Sequence, residues 1–299
     1  MELILFASDF HFGRKTAAWD VGKASATLSA LAEQAVAIAR SAKVDSIHLL
    51  FLGDIVDGES VYFEQAYELE LQGFEQVYEC ARLFALNFLL PLSEIAPCHL
   101  DGVPGNHAYL RFTHRRTNLD SFFYRELERW AKSFKRRGTT TFWARMGLDA
   151  LEIKVTRCGS VSVLIGHGHF FRSVADLPFA AAYRRVLAWT ATRAKDPFDI
   201  AAFGHFHRFA FFAVPGGKFV VFNGCMLAHD EYSLTRYGHP GDRVWAALLV
   251  DRKKILALHP LRDERLGRDR KEKVGGGVIE KRHDPAHRRP LPAPETARG

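Results

Sequence analysis

Five times along this chain a short apolar, strand-like run stops at a small residue and hands over to Asp, Asn or His. The endings are "FASDFH" (Asp9, His11), "FLGDIVD" (Asp54, Asp57), "VPGNH" (Asn106, His107), "LIGHGH" (His167, His169) and "FGHFH" (His205, His207). Residues i and i+2 of an extended chain point to one side, so Asp9 with His11, and each His-x-His pair, aims two polar groups at one place. Gly13, Gly53, Gly105, Gly166 and Gly204 sit beside these groups, where glycine permits tight turns and close approach of backbone to a ligand. Taken singly, such endings are ordinary turn or cap chemistry. Five in one chain, each after an apolar run, point to strands whose carboxyl ends converge, which is where open α/β sheets collect their sites.

The rest of the chain fits that frame. In the first half, Leu3–Ser8, Ile47–Leu52 and Cys98–Val103 read as strands, separated by helical patterns over Ser25–Ala42 and from Val61 to Leu90. The second half reads mostly as strands: Thr140–Ala144, Leu151–Val155, Val161–Ile165, Ile200–Phe203, Phe209–Val214, Phe219–Phe222, Val244–Val250 and Ile255–Leu258. Leu177–Thr192 is a helix among them. The mixture predicts an α/β layered domain around one or two sheets. After Leu261 apolar residues become sparse and Arg, Lys, Gly and Pro dominate, so residues 263–299 are expected to form a basic, largely disordered tail behind a domain spanning 1–262.

Charge narrows the partners. The chain of 299 residues carries a formal +7, but unevenly. Arg111 to Arg145 holds ten Lys/Arg against three acids, and the tail from Asp263 holds ten against seven, which leaves the remainder at −3 (+7 − 7 − 3). Concentrated positive charge suits a polyanion better than the total alone implies. No stretch approaches the roughly 18 apolar residues of a membrane span, so no membrane is expected among the partners. The N-terminal apolar run is short, has no cationic leader and meets Asp9 at once, unlike a signal peptide. Cys80, Cys98, Cys158 and Cys225 are scattered without a CxxC pair, a pattern that fits reduced thiols in a cytoplasmic protein.

The series DFH, GDIVD, GNH, GH and GHFH resembles the motif series of the calcineurin-like metallophosphoesterase superfamily, from Asp9 to His207. The resemblance implies a four-layer α/β/β/α sandwich of two mixed sheets with metals at the strand ends. The doubled histidine of the last motif looks more like the nuclease and phosphodiesterase branches than the Ser/Thr protein phosphatases. In layout the chain is similar to the SbcD-type DNA repair exonucleases, though it has no long C-terminal region for a DNA-binding cap and an ATPase partner. Carried over by position, Asp9, His11, Asp54 and His207 would hold one divalent cation, and Asp54, Asn106, His167 and His205 a second, with Asp54 bridging. Such a mixed imidazole, carboxylate and amide set suits Mn²⁺, Fe or Zn²⁺ rather than a dedicated Mg²⁺ or Ca²⁺ site, and Mn²⁺ is favoured here. Two such cations would make hydroxide available near neutral pH for in-line attack on phosphorus.

The same resemblance gives His107 the task of protonating the leaving oxygen, with Asp57 fixing its ring. Asp57 could equally cap a helix beginning near Glu59. His169 could contact substrate or cap the following turn. Arg111, Arg115 and Arg116 enter directly after GNH, near the metals, and are expected to bind substrate phosphates. The aromatics that follow, Phe122, Phe123, Tyr124 and Trp130, could stack on bases. They also fit the core face of an amphipathic helix over Asn118 to Phe134, and for most of them the core face is favoured. The polar loop from Cys225 to Asp242, with His229, Asp230, Arg236 and His239, is expected to shape the pocket. The expected activity is hydrolysis of nucleic-acid phosphodiester bonds, a DNA exo- or endonuclease. Hydrolysis of small phosphoesters, nucleotides or phosphoproteins is the alternative, and a non-catalytic accessory subunit the third reading. The sequence leaves a protein partner or homo-oligomer undetermined.

Overall fold

The computed structural model describes residues 1–110, 117–134, 140–141, 152–172, 177–192, 196–227, 238 and 241–263. The chain divides into two compact units, Met1–Leu266 and Gly267–Gly299, and every described residue belongs to the first. Arg111, Arg115 and Arg116, the tail beyond Asp263, and His229, Asp230, Arg236 and His239 lie outside the described residues.

The apolar runs form two mixed sheets. In the first, β1 (Glu2–Ala7), β2 (Ser46–Phe51), β3 (Cys98–Gly102) and β4 (Thr140–Thr141) run parallel. In the second sheet, β5 (Ile153–Cys158) lies antiparallel to β6 (Val161–Gly166), which runs parallel to β7 (Ile200–Phe203). There β8 (Ala210–Val214) and β9 (Lys218–Phe222) form a hairpin whose second strand pairs parallel with β7. β10 (Trp245–Asp251) and β11 (Lys254–Leu261) return to the first sheet, where β10 pairs antiparallel with β1. The orders are β11-β10-β1-β2-β3-β4 and β5-β6-β7-β9-β8.

Period-2 alternation explains the layers. Ile4, Phe6, Leu50 and Leu52 of the first sheet pack with Val161, Val163, Ile165, Ile200 and Val221 of the second, so the two sheets lie face to face over a dry core. Leu3, Leu5, Leu49 and Phe51 point the other way, into a core shared with residues of α1 (Val21–Ala42), α2 (Phe74–Leu83) and α4 (Leu119–Ser133). Leu164, Ala201, Phe203, Val220 and Phe222 meet Ala182 and Val186 of α5 (Phe179–Thr192) on the outer face of the second sheet. The result is the α/β/β/α sandwich, each fully buried aliphatic or aromatic side chain contributing roughly 1.5–3 kcal/mol.

The helices depart from expectation at two places. α1 starts before Ser25, because Asp20 accepts the backbone N–H of Lys23 at 2.8 Å and caps a turn that the Ala-rich pattern alone does not mark. The helix expected from Val61 to Leu90 is a helix only from Phe74. Its first part is a loop with one 3₁₀ turn, Gln65–Glu68, in which the Gln65 side chain accepts the Val61 N–H at 2.8 Å. Val61, Tyr62, Phe63 and Tyr67 are poor helix formers, and Gly73 with φ +51° precedes the first helical turn. Beyond α2 a π-helical stretch, Phe84–Leu89, leads into the short α3 (Leu90–Ser93).

All four cysteines are buried free thiols. Among the described residues no helix is long and apolar enough to cross a membrane.

Candidate metal centre

The loops after β1, β2, β3, β6 and β7 leave the carboxyl ends of strands that run parallel within each sheet, and contacts across the two sheets draw them together. The backbone N–H of His205 donates to both Asp9 oxygens at 3.0 Å. His167 Nδ1 lies 2.8 Å from the Leu52 carbonyl oxygen, and His11 Nε2 lies 3.1 Å from His207 Nε2. Three groups of side chains each bring one potential ligand atom within 4.8 Å of the others: Asp9, His11 and His207; Asp54, His167 and His205; and His11, Asp57 and His107. All seven residues expected to hold metal are therefore gathered at one rim, Asn106 through its Oδ1 atom 2.9 Å from His167 Nε2.

The backbone there is bent to achieve this. Asp9, His11, Asp54, His205 and His207 have φ of 49°, 47°, 53°, 75° and 54°. They are five of the nine non-glycine residues with positive φ among the described residues, in a conformation that costs an L-residue roughly 1–2 kcal/mol. Such strain persists only where surrounding structure over-determines it, and it clusters at functional sites. Gly53 and Gly105 let two of the loops touch: a Cβ on Gly105 would stand 2.0 Å from Asp54 Oδ1, and one on Gly53 2.5 Å from the Gly105 Cα.

The donor atoms are arranged for a cation. His167 Nδ1 donates its proton to the Leu52 carbonyl, which turns Nε2 toward Asp54 Oδ2 and Asn106 Oδ1, both at 2.9 Å. With two acceptor oxygens that close, Nε2 must either carry a proton or face a cation. Burial, the largest single effect, lowers the His167 pKa, but the charge and hydrogen bond of Asp54, with Asp9 and Leu52, outweigh it and raise it to about 9. His205 beside it is pushed down to about 3, by burial first and then by the charge of His167. At the other triad His11 Nδ1 faces Asp57 Oδ1 at 2.7 Å, so its Nε2 meets His207 Nε2 with Asp9 Oδ1 3.5 Å from the latter. Asp54 stays ionised despite complete burial, its carboxyl held well below the usual range by His167, His107 and His11.

No helix begins near Glu59 for Asp57 to cap, and its carboxylate is hydrogen-bonded to His11 instead. Its Oδ1 stands 2.7 Å from His11 Nδ1 and 3.6 Å from His107 Nδ1, while Gln65 Nε2 donates to Oδ2 at 2.9 Å. Arg14 Nη1 lies 3.9 Å away. Burial opposes the ionisation of Asp57, but these histidines win and keep its carboxyl far below the ordinary value. The His107 side chain is 21% exposed, and its backbone N–H donates to Asp54 Oδ1 at 2.8 Å. His169 Nε2 is 3.6 Å from Glu152 Oε1, and its ring centre is 5.7 Å from that of His167. Phe123 and Tyr124 are core residues of α4, and Phe122 packs edge-on against Phe74.

Sequence reasoning missed Asp120, Asn118, Gln65 and Arg14. Asp120 is fully buried and accepts the backbone N–H groups of Asp54, Ile55, Val56 and Gly105 at 2.9, 3.0, 3.2 and 2.9 Å. Burial, and then the charge of Asp54, push its carboxyl up to about 6. The "NLD" at a helix start signals a cap, and Asn118 does accept the Asp120 N–H at 2.8 Å; nothing local says that the second acid reaches two other loops.

No family model matches the sequence, and no curated protein does. Solved structures do share its outline. A Streptococcus pneumoniae protein described as a predicted phosphoesterase is 14% identical, with a TM-score of 0.37 and 83% of each chain covered. Vacuolar Protein Sorting 29 from Cryptosporidium parvum is 15% identical at a TM-score of 0.37, covering 88% of this chain and 98% of its own. A Vps29 single mutant from Entamoeba histolytica is 16% identical at 0.37, over 84% and 87%. At such scores the likeness carries nothing about activity.

Proposed function

We propose that the chain is a metal-dependent phosphoesterase whose substrate is a nucleic-acid phosphodiester. The observation that carries the first half is the convergence of His167 Nε2, Asp54 Oδ2 and Asn106 Oδ1 at 2.9 Å, with the histidine tautomer set by Leu52. Asp9, His11 and His207 would hold one divalent cation and Asp54, Asn106, His167 and His205 the other, a donor set suited to Mn²⁺, Fe or Zn²⁺. Bound there, two such cations supply Lewis acidity, acidifying water and offsetting charge on phosphoryl oxygens.

The chain's own groups do the rest. Asp57 Oδ1 faces the Nδ1 side of His107 from 3.6 Å, a charge contact longer than a hydrogen bond, and Nε2 of that partly exposed ring would carry a proton to the leaving oxygen. Asp54 and Asp57 favour the protonated ring against the opposing effect of burial, and the His107 pKa is raised, as a general acid requires. Asp57 also orients His11 from the side away from the donor cluster.

The nucleic-acid half rests on the sequence. Arg111, Arg115 and Arg116 follow His107 directly, and ten Lys/Arg against three acids occupy Arg111 to Arg145. Such density fits a substrate with several phosphates better than one with a single phosphate. The test is hydrolysis of bis-p-nitrophenyl phosphate, p-nitrophenyl phosphate and labelled DNA, with and without Mn²⁺. Metal-dependent cleavage of DNA and of the diester is expected. Turnover of the monoester alone would replace nucleic acid by small phosphoesters, and no turnover with Mn²⁺, Fe²⁺ or Zn²⁺ would overturn the enzyme.

A further inference from the structure

Asp120 sits at the start of α4 and grips two of the loops that bear the donor side chains by their backbone. Its Oδ2 accepts from the backbone N–H of Asp54 and of Gly105, both at 2.9 Å. Its Oδ1 accepts from Ile55 at 3.0 Å and Val56 at 3.2 Å. Asn118 holds the next peptide unit, its Nδ2 donating to the Gly105 carbonyl oxygen at 2.9 Å. Leu119 N–H adds a bond to the Ala108 carbonyl at 2.8 Å, so the first turn of α4 is tied to both ends of the Gly105–Ala108 segment. Four N–H donors on one carboxylate, with the helix N-terminus behind it, replace the water that a buried charge gives up.

We infer that Asp120 is a positioning residue: it sets the distance between the Asp54 loop and the Asn106–His107 loop, and through that distance the affinity of the site for its second cation. The inference rests on the proposed function for its metal half only. Asp54 has φ 53°, in the left-handed region that L-residues uncommonly adopt, and the peptide N–H groups of Asp54 and the next two residues all end on Asp120. Gly105 approaches Asp54 too closely to admit a Cβ, so a small shift of either loop changes the gap between Asp54 Oδ2 and Asn106 Oδ1 directly. Supporting partners of metal ligands typically change affinity about 10–100-fold when removed.

Asp120→Asn keeps the size of the side chain but turns an NH₂ donor toward N–H donors, so at most one oxygen remains to accept. Val163→Ala, in the core between the sheets, serves as a control that lowers stability away from the site. Mn²⁺ binding by calorimetry on the full chain should show the second cation about 10–100-fold weaker in Asp120→Asn and unchanged in Val163→Ala. Amide exchange of Ile55, Val56 and Gly105 should quicken at least tenfold in Asp120→Asn, beyond any change in amides of β7. Wild-type Mn²⁺ affinity and wild-type exchange in Asp120→Asn would overturn the inference, as would an equal loss of affinity in Val163→Ala. Should Asp120→Asn fail to fold, Asn118→Ala releases the Gly105 carbonyl and the Asp120 N–H that it caps while leaving the four bonds to the Asp120 carboxylate, and its exchange and affinity are read the same way. If the wild-type chain binds no divalent cation, the function reading fails while the exchange measurement still decides the role of Asp120.

Discussion

His48 and His99 stack ring on ring with centroids 4.8 Å apart within β2 and β3, while His167 and His205 meet edge-on at 5.0 Å beyond the ends of β6 and β7. Both pairs contain a histidine removed from water, yet His48 and His167 shift in opposite directions. Burial, followed by the charge of His99, lowers the His48 pKa to about 4. At the rim, Asp54, Asp9 and the Leu52 carbonyl reverse the effect of burial and raise His167 to about 9. His48 has a Ser46 hydroxyl at 3.2 Å as its neighbour and ordinary strand backbone. The rim has carboxylates, fixed tautomers and left-handed backbone at five ligand positions. Burying imidazoles makes them neutral; only carboxylates placed against them make a place for a cation.

The largest expected effect breaks that place outright. Asp54→Ala removes the group that both raises His167 and supplies Oδ2, and should cost at least about 10³-fold in rate, several kcal/mol of barrier. Bound metal by elemental analysis should fall below two per chain; full occupancy in this variant would refute the assignment. Next, His107→Asn should keep both metals and the fold but lose about 10²–10⁴ in rate with a poor leaving group. With p-nitrophenolate as leaving group the loss should be smaller, and equal losses on both substrates would remove His107 as the acid.

His48 tests the other side of the comparison. Its pKa is depressed in the folded chain, so folded and unfolded forms are both neutral above pH 6.5. Between pH 6.5 and about 4 the unfolded chain takes a proton that the folded one refuses, and stability falls with pH by about 3 kcal/mol from this group. His48→Phe should retain that amount, giving a flatter urea-denaturation profile over the same window; parallel profiles would show that the ring titrates freely. The smallest effect concerns how far the positive rim extends. Arg115→Glu with Arg116→Glu should reduce the loss of DNA affinity between 50 and 200 mM salt by about tenfold if each arginine neutralises one phosphate. Hydrolysis of bis-p-nitrophenyl phosphate should hardly change, and a wild-type salt response would make the cluster a solvated face.

Much of the site was legible because its ligands sit at a fixed distance after apolar runs, although left-handed backbone at Asp9, His11, Asp54, His205 and His207, not strand alternation, sets their direction. Asp9 and His11 fall in one donor group, as their spacing suggested, whereas His205 and His207 fall in two. The helix read over Val61 to Leu90 failed for a physical reason: Gln65 leaves the helical pattern to cap Val61 and to hold Asp57, a tertiary demand that no periodicity reports. By sequence Asp57 could be a cap or an acid orienting His107; no helix begins near Glu59, and its 2.7 Å contact is to His11, with His107 Nδ1 at 3.6 Å.

By itself, the sequence determined the alternation that splits each strand between the inter-sheet core and a helix layer, and the identity of the polar groups at each strand's end. Those are local properties, carried by spacing and side-chain chemistry. Only the tertiary structure decided which loops meet, which histidine nitrogen faces a carbonyl and which a carboxylate, and that Asp120 ties the Asp54 and Gly105 backbones together. Hydrogen bonds over separations of 66 and 115 residues, Asp54 to Asp120 and Leu52 to His167, depend on how the sheets stack, and no local pattern encodes them.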